Sequence, residues 1–524
     1  MPEDDGDALT ERGNLRRQLA QSLAVADDER FLNMVWAARA IQSGRAEEGL
    51  PFISGVPDAA VAEGITNRLA IYPWELETLT NELLAQPKHR YYRVLQCGAW
   101  NTIATLTNQL RDLEGAEYVA RRGAVPILRE MYRIQGRQFE WQRGFPSVAQ
   151  FYRNCFIYGQ GACAEYFQET HDISIAQLTL VGYALFASFL ADPTYDRRQD
   201  LAIIGVTPET RERAMSRICA PISTVRDIAL RNREGDNDTA YRPSALRLFP
   251  CIAMDKRLRR IRAPIPELVI SRVTSGLFYD VVGGGGPVRD EYGRRFEQYV
   301  HSYFEAMLPA VRLLPEWHYR VACQSILSPD LMILGQRTEE VSIAVECKAT
   351  RMSIDARFGE LPENERGYED MEKAVFQIWR FFSHCRRGLT GRRVAADAVG
   401  IVLTLENWFV MGSVLQEEIE ARAVLRAQRL DSKITDEDRR RVIFCPMPDL
   451  EEVLATATED SFRTSVARSV MDDRRGWLFS SIHREVRDAN AIAKAYPFAE
   501  KLAELLPWWE RLERERGQHG DGTR

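Results

Sequence analysis

The segment VSIAVECKA, residues 341–349, sets a carboxylate and an ammonium two residues apart, Glu346 and Lys348, in an otherwise apolar run. Side chains alternate faces along a strand, so these two point one way while Ile343, Val345 and Cys347 point the other. Burying an unpartnered charge costs several kcal/mol. Such a pair therefore belongs either to a solvated edge strand or to a polar cluster with a chemical role. Upstream, SPDLMILG ends at Gly335, and GQRTEE supplies a turn into the E-x-K run. Pairing Leu334 with Ser342 in antiparallel register places Asp330 opposite Glu346, about 4.5–5.5 Å away as a cross-strand neighbour. Carboxylates that close repel unless a proton or a cation lies between them. Hard divalent ions such as Mg²⁺ take oxygen ligands and keep several waters. On this reading Asp330 and Glu346 form a metal seat, with Lys348 alongside to orient and polarise an attacking water.

Two helices must flank these strands. In EYGRRFEQYVHSYFEAML, the residues Tyr292, Phe296, Tyr299, Val300, Tyr303, Phe304 and Met307 form one apolar stripe at helical spacing. Glu297 falls at the edge of that stripe, within reach of the sheet, while Glu291 and Glu305 turn toward solvent. After the E-x-K run, MEKAVFQIWRFF places Gln377 and Phe381 four apart on one helix surface. Gln377 is positioned to hydrogen-bond the lysine or a phosphate oxygen, or to stand as a plain surface amide.

The order Glu297, Pro329-Asp330, Glu346-x-Lys348 and Gln377 resembles the PD-(D/E)XK, or restriction-endonuclease-like, nuclease superfamily. The resemblance covers roughly residues 288–405 and rests on short motifs in the right order. It implies an α/β/α domain with a mixed central sheet. It also implies a hydrolase, an endonuclease acting on DNA, in which Asp330, Glu346 and Glu297 bind Mg²⁺, with Mn²⁺ as a substitute. Lys348 then assists the nucleophilic water and Gln377 supports it. Many relatives carry a tyrosine four residues after the glutamine, where this chain has Phe381. The rival readings are a catalytically inactive nuclease-fold scaffold and a helical interaction protein.

Basic groups suited to phosphate cluster at Lys256, Arg257, Arg259, Arg260 and Arg262, at Arg386, Arg387, Arg392 and Arg393, and at Arg439 to Arg441. The second cluster directly follows the Gln377 helix and is the preferred nucleic-acid contact. No H-E-x-x-H, G-x-S-x-G or Cys/His ligand spacing is present. His384 and Cys385 end a helix with no evident role.

At 524 residues, 45% hydrophobic and 27% charged, the chain reads as a globular protein of several domains. Its nine scattered cysteines and its acidic, non-apolar start, MPEDDGDALTER, suit the cytoplasm. The net charge of −6 counts against an all-over basic surface but leaves room for a local basic groove. The uncharged run between Asp172 and Asp192 reads as a buried helix capped by Asp172, so no membrane partner is expected. The expected organisation is α+β and multidomain. A disordered tail (1–13) precedes a helical domain (14–241), which includes helices over Trp74–Leu84 and Arg90–Leu113. Connecting strands, a helix and a Gly-rich linker follow (242–286), then the nuclease domain (287–512) and a second disordered tail (513–524). The helical region is a candidate surface for self-association or a partner protein, and such a module beside a nuclease suits defence against foreign DNA.

Overall fold

The computed structural model describes residues 3–61, 67–88, 94–121, 127–142, 147–234, 238–255, 257, 259–351, 366–407 and 412–510. The chain divides into two compact units. One comprises Met1–Ser147, Ala164–Gly283 and Leu505–Arg524; the other comprises Val148–Cys163 and Gly284–Glu504.

The first unit is mostly helical. Helix Pro73–Leu84 starts with Pro73 at its first position, where a missing N–H leaves no bond unmade. Every later residue of that helix is buried, acids included. Its glutamates survive burial because each meets an arginine: Glu75 with Arg111, Glu77 with Arg247 and Glu82 with Arg242, all at 2.6–2.7 Å.

Several sequence expectations for this unit need correction. The helix Glu3–Ala24 runs through most of the expected 1–13 tail, because its packed end at Leu19 and Leu23 lets the helix propagate backward through Gly13 and Gly6 with no proline in the way. The helix expected over Arg90–Leu113 begins only at Trp100. Ala99 instead bridges to Ser54, and residues 89–93 lie outside the described ones. The apolar helix Ile175–Ala191 is capped by Ser174, which exchanges capping-box bonds with Gln177, and not by Asp172. Among the described residues no single helix is long and apolar enough to cross a membrane.

The 242–286 segment is no connector. Cys251–Ala253 and Arg260–Arg262 pair antiparallel, as the two extended runs suggested. They sit inside a four-stranded sheet completed by Thr194–Asp196 and Cys219–Pro221. Those outer strands have only three residues each, too few to show a period of two. The Gly283–Gly286 run is not an extended linker either. A helical turn covers Val282–Gly284, and a long helix starts at Gly285, whose φ of +77° suits glycine.

In the second unit, helix α1 (Val148–Tyr158) precedes helix α2 (Gly285–Met307). Strands β1 (Leu313–Pro315), β2 (His318–Val321), β3 (Gln324–Leu327), β4 (Leu331–Leu334) and β5 (Val341–Lys348) follow. Then come helix α3 (Arg366–Arg386), strand β6 (Val394–Thr404), helix α4 (Ser413–Leu430), strand β7 (Val442–Pro446) and helix α5 (Met447–Thr456). The main sheet is mixed, in the order β7-β6-β5-β4-β1. Strands β5, β6 and β7 are parallel, while β4 and β1 run antiparallel to their neighbours. Helix α3 makes the crossover between β5 and β6 and packs on both. Gly400 permits that contact: a Cβ there would stand 2.9 Å from Ile378 Cγ2. Strands β2 and β3 form a separate two-stranded ribbon.

The stripe expected on α2 is buried in full. Its cover includes α1, which the sequence reading assigned to the helical domain. Tyr152 of α1 lies 6.3 Å from Tyr299 and 5.1 Å from Phe498, and Arg153 pairs with Glu451 of α5. An apolar stripe needs a partner surface, but sequence spacing does not say which segment provides it. The second tail, 513–524, lies outside the described residues.

Candidate functional site

Strands β4 and β5 pair Leu331 with Val345, Met332 with Ala344 and Ile333 with Ile343. One step further back, Asp330 stands opposite Glu346. The Leu334–Ser342 pair is not formed: an irregularity after Ile333 sets Leu334 against Val341. Ser342 is the extra residue, and its hydroxyl donates to the Ile333 carbonyl at 3.0 Å. This extra residue makes up the one-residue offset of the turn pair, so from Ile333–Ile343 to the acid end the register is the expected one.

Strand β5 is the middle strand of five, so the edge-strand reading of Glu346-x-Lys348 does not apply. Glu346 is 2% exposed. Lys348 Nζ donates to Glu346 Oε1 at 2.8 Å and to Gln377 Oε1 at 3.3 Å. Gln377 thus holds the lysine. Phe381 is buried against Trp317 and Tyr319, where a tyrosine hydroxyl would need a partner of its own. Asp330 Oδ2 accepts the backbone N–H of Cys347 at 2.6 Å. Glu346 Oε2 is buried with no hydrogen-bond partner.

A further acid belongs here that sequence reasoning missed. Strand β1 pairs Pro315 with Leu331, so Glu316 continues the register opposite Asp330. Glu316, Asp330 and Glu346 therefore form a row across three adjacent strands. The sequence signal was an acid directly after a three-residue strand, and so short a strand had not been recognised. Glu297 approaches the row from α2, half-buried at the edge of the stripe.

The electrostatics follow from this crowding. Burial, then Glu316 and Glu346, push the Glu297 pKa up to about 7. Burial, then Glu346 and Glu297, raise Asp330 well above the usual carboxylate range, against the pull of Lys348 and the Cys347 N–H. Burial and Glu346 raise Glu316 as well. For Lys348, burial works to lower the pKa, but Glu346 and Asp330 outweigh it and the net direction is up. The cluster carries more acid than its one lysine balances.

Among the described residues no three His, Cys, Asp or Glu side chains stand ready-spaced around one ion. The donor set nevertheless fits a hard divalent cation. Asp330 and Glu346 each commit one oxygen to a protein hydrogen bond, and the second oxygen of Glu346 is an orphan out of water.

The preferred phosphate cluster lies elsewhere. Strand β6 runs parallel to β5 with Val394 beside Val341, and Val341 N–H bonds the Arg393 carbonyl. Arg392 and Arg393 thus sit at the start of β5, seven residues or roughly 23 Å from Lys348. A crossover between parallel strands must return the chain to the opposite edge of the sheet, so residues directly after it cannot join a site at the strands' C-terminal ends. Arg439–Arg441, just before β7, share that far edge. Arg386 is bound to Asp438 at 2.7 Å and Arg387 to Asp431 at 3.3 Å. The first cluster belongs to the other unit. There Arg259 pairs with Asp196 and Arg262 with Glu29, and Lys256 lies outside the described residues.

His384 has partners after all. Its Nδ1 lies 2.9 Å from the Tyr319 hydroxyl on the ribbon, and its Nε2 3.1 Å from Asp431. The chain matches no family model, no curated protein and no solved structure.

Proposed function

We propose that the chain is a metal-dependent nuclease that hydrolyses phosphodiester bonds of DNA, with Mg²⁺ as its cofactor and Mn²⁺ as a substitute. One observation carries the reading: Asp330 and Glu346 share a register position on adjacent strands, beside a lysine fixed by both Glu346 and Gln377. Buried carboxylates that repel one another are a costly arrangement to hold without a counter-charge. A cation seated by Asp330 and Glu346, with Glu297 as a third ligand, relieves that repulsion.

When bound, such an ion would offset the charge that develops on the phosphate oxygens and lower the pKa of a bound water. Lys348 has three donors and uses two on Glu346 and Gln377. Its remaining N–H is available to a phosphate oxygen or to the attacking water. Hydrolysis then joins the water oxygen to phosphorus, breaks the bond to the leaving oxygen, and returns a proton to it.

The test is to incubate the purified full chain with plasmid DNA in Mg²⁺ or in chelator, beside Lys348→Ala. Cleavage that needs the metal, and that falls by roughly 10²-fold or more in the variant, is the expected result. Equal products from both proteins, or none from either in Mg²⁺ or Mn²⁺, would favour the inactive scaffold.

A further inference from the structure

Gln377, Arg380 and His384 share one face of α3, at helical spacings of three and four. Both ends of this short stripe are fixed. Gln377 reaches Lys348 at 3.3 Å, and His384 reaches the Tyr319 hydroxyl at 2.9 Å. Arg380 lies between them, about 4.5 Å along the axis from Gln377 and about 6 Å from His384. On the helix it thus stands between the residue that meets Lys348 and the residue that meets the ribbon. The same proximity is felt electrostatically, since the Arg380 charge acts on both Tyr319 and His384.

What distinguishes Arg380 is that, among the described residues, no acid pairs with it. Further along the helix, Arg386 and Arg387 are each bound to an aspartate. Among the described residues the Arg380 Nε is buried without a hydrogen-bond partner, and the guanidinium carbon lies 5.5 Å from the Phe376 ring. Among the described residues no carboxylate comes within ion-pair distance of it. A guanidinium part-withdrawn from water with an unmet donor is an arrangement that a protein tolerates where a ligand supplies the acceptor. Its planar fork matches the oxygens of a phosphate.

We propose that Arg380 holds a backbone phosphate of the bound nucleic acid beside the carboxylate row; this rests on the nuclease reading above. Four acids at the row repel a polyanion, so a nucleic-acid strand needs an uncommitted cation close by. The far-edge arginines are too distant to serve. Arg380 is thus a substrate-positioning residue, placing a phosphate next to the scissile one and carrying no part of the bond-breaking step.

The test measures binding of a fluorescent duplex DNA oligonucleotide by the full chain in chelator over a range of salt, together with steady-state cleavage in Mg²⁺. Four proteins are compared: wild type, Arg380→Met, Arg380→Lys and the exposed-surface control Arg337→Met. Arg380→Met is expected to weaken binding roughly tenfold or more, to reduce the salt slope by about one, and to raise KM more than it lowers kcat. Arg380→Lys restores the salt slope but only part of the affinity, because an ammonium cannot fork. Arg337→Met changes neither. Thermal unfolding of each variant checks folding, and if Arg380→Met fails to fold, Arg380→Lys and Arg380→Gln make the same comparison. Wild-type affinity, slope and KM in Arg380→Met, with cleavage intact, overturn this assignment and leave the nuclease reading standing. A wild type that neither binds nor cuts DNA overturns both.

Discussion

Replacing Glu297 by glutamine removes one charge from the cluster while keeping the side chain's length. Burial, then Glu316 and Glu346, hold the Glu297 pKa at about 7, against an ordinary value of 4.5. An acid whose folded pKa lies above its unfolded one binds its proton more tightly when folded. The contribution is fully present below about pH 4.5 and is lost as pH rises through about 7. Taken whole, the gap corresponds to roughly 3 kcal/mol. Glu297 is only half-buried, and screening by solvent reduces this to roughly 1–2 kcal/mol. For a unit of this size each kcal/mol moves Tm by roughly 2–4 °C. In chelator, thermal unfolding of the wild type should therefore lose roughly 2–8 °C between pH 5 and pH 8 on account of this group. Glu297→Gln should recover most of that loss at pH 8 and little at pH 5. Glu305→Gln, on the same helix but exposed, is the control and should leave the slope unchanged. Identical pH slopes in wild type and Glu297→Gln would show that Glu297 does not share the field of the row, and the cluster argument would fail with it.

Lys348→Met strips buried Glu346 of its ion-pair partner and should cost roughly 3–5 kcal/mol in urea unfolding. Adding Glu346→Gln should recover part of it. Gly400→Ala forces a methyl to within 2.9 Å of Ile378 Cγ2 and 3.1 Å of Val442 Cγ2. It should cost roughly 1–3 kcal/mol and loosen the helix that carries Gln377. Mg²⁺ added to chelator-stripped protein at about 100 times Kd should stabilise it by roughly 2.7 kcal/mol, seen as a rise in Tm that Asp330→Asn abolishes.

The sequence held the acid row in part because antiparallel pairing is simple arithmetic. Within a regular ladder every opposed pair has the same sum of residue numbers, so a Leu334–Ser342 pair predicts Asp330 opposite Glu346. The real turn holds an irregularity at Ser342, and the sum still applies below Ile333. Glu316 escaped because β1 has three residues and no alternation to read. The phosphate contacts were misplaced for a topological reason. Nearness in sequence to Gln377 suggested nearness in space, whereas a parallel crossover sends the following residues to the other edge. Helix α1 escaped because long-range burial, not local pattern, decides which segment covers a stripe. His384 looked idle because Tyr319 and Asp431, its partners, lie 65 and 47 residues away.

Protons and a cation compete for the same oxygens in this cluster, and that competition sets how steeply stability depends on pH. Without metal, raised acids at Glu297 and Asp330 keep protons in the folded state that the unfolded chain has already released, so stability falls as pH rises toward neutrality. A divalent ion binds the deprotonated carboxylates and must displace those protons, so its affinity grows over the same window. Binding to the folded state adds RT ln(1 + [L]/Kd), and Kd shrinks as the protons leave. With saturating metal neither the folded nor the unfolded state holds protons on these carboxylates near neutrality, so the fall of stability with pH flattens toward zero. A seat for a proton alone keeps its falling slope in Mg²⁺, and so does a cluster whose metal is held at some other surface. Loss of that slope in saturating Mg²⁺, against its persistence in chelator, separates a metal site from a merely crowded row of acids before any substrate is known.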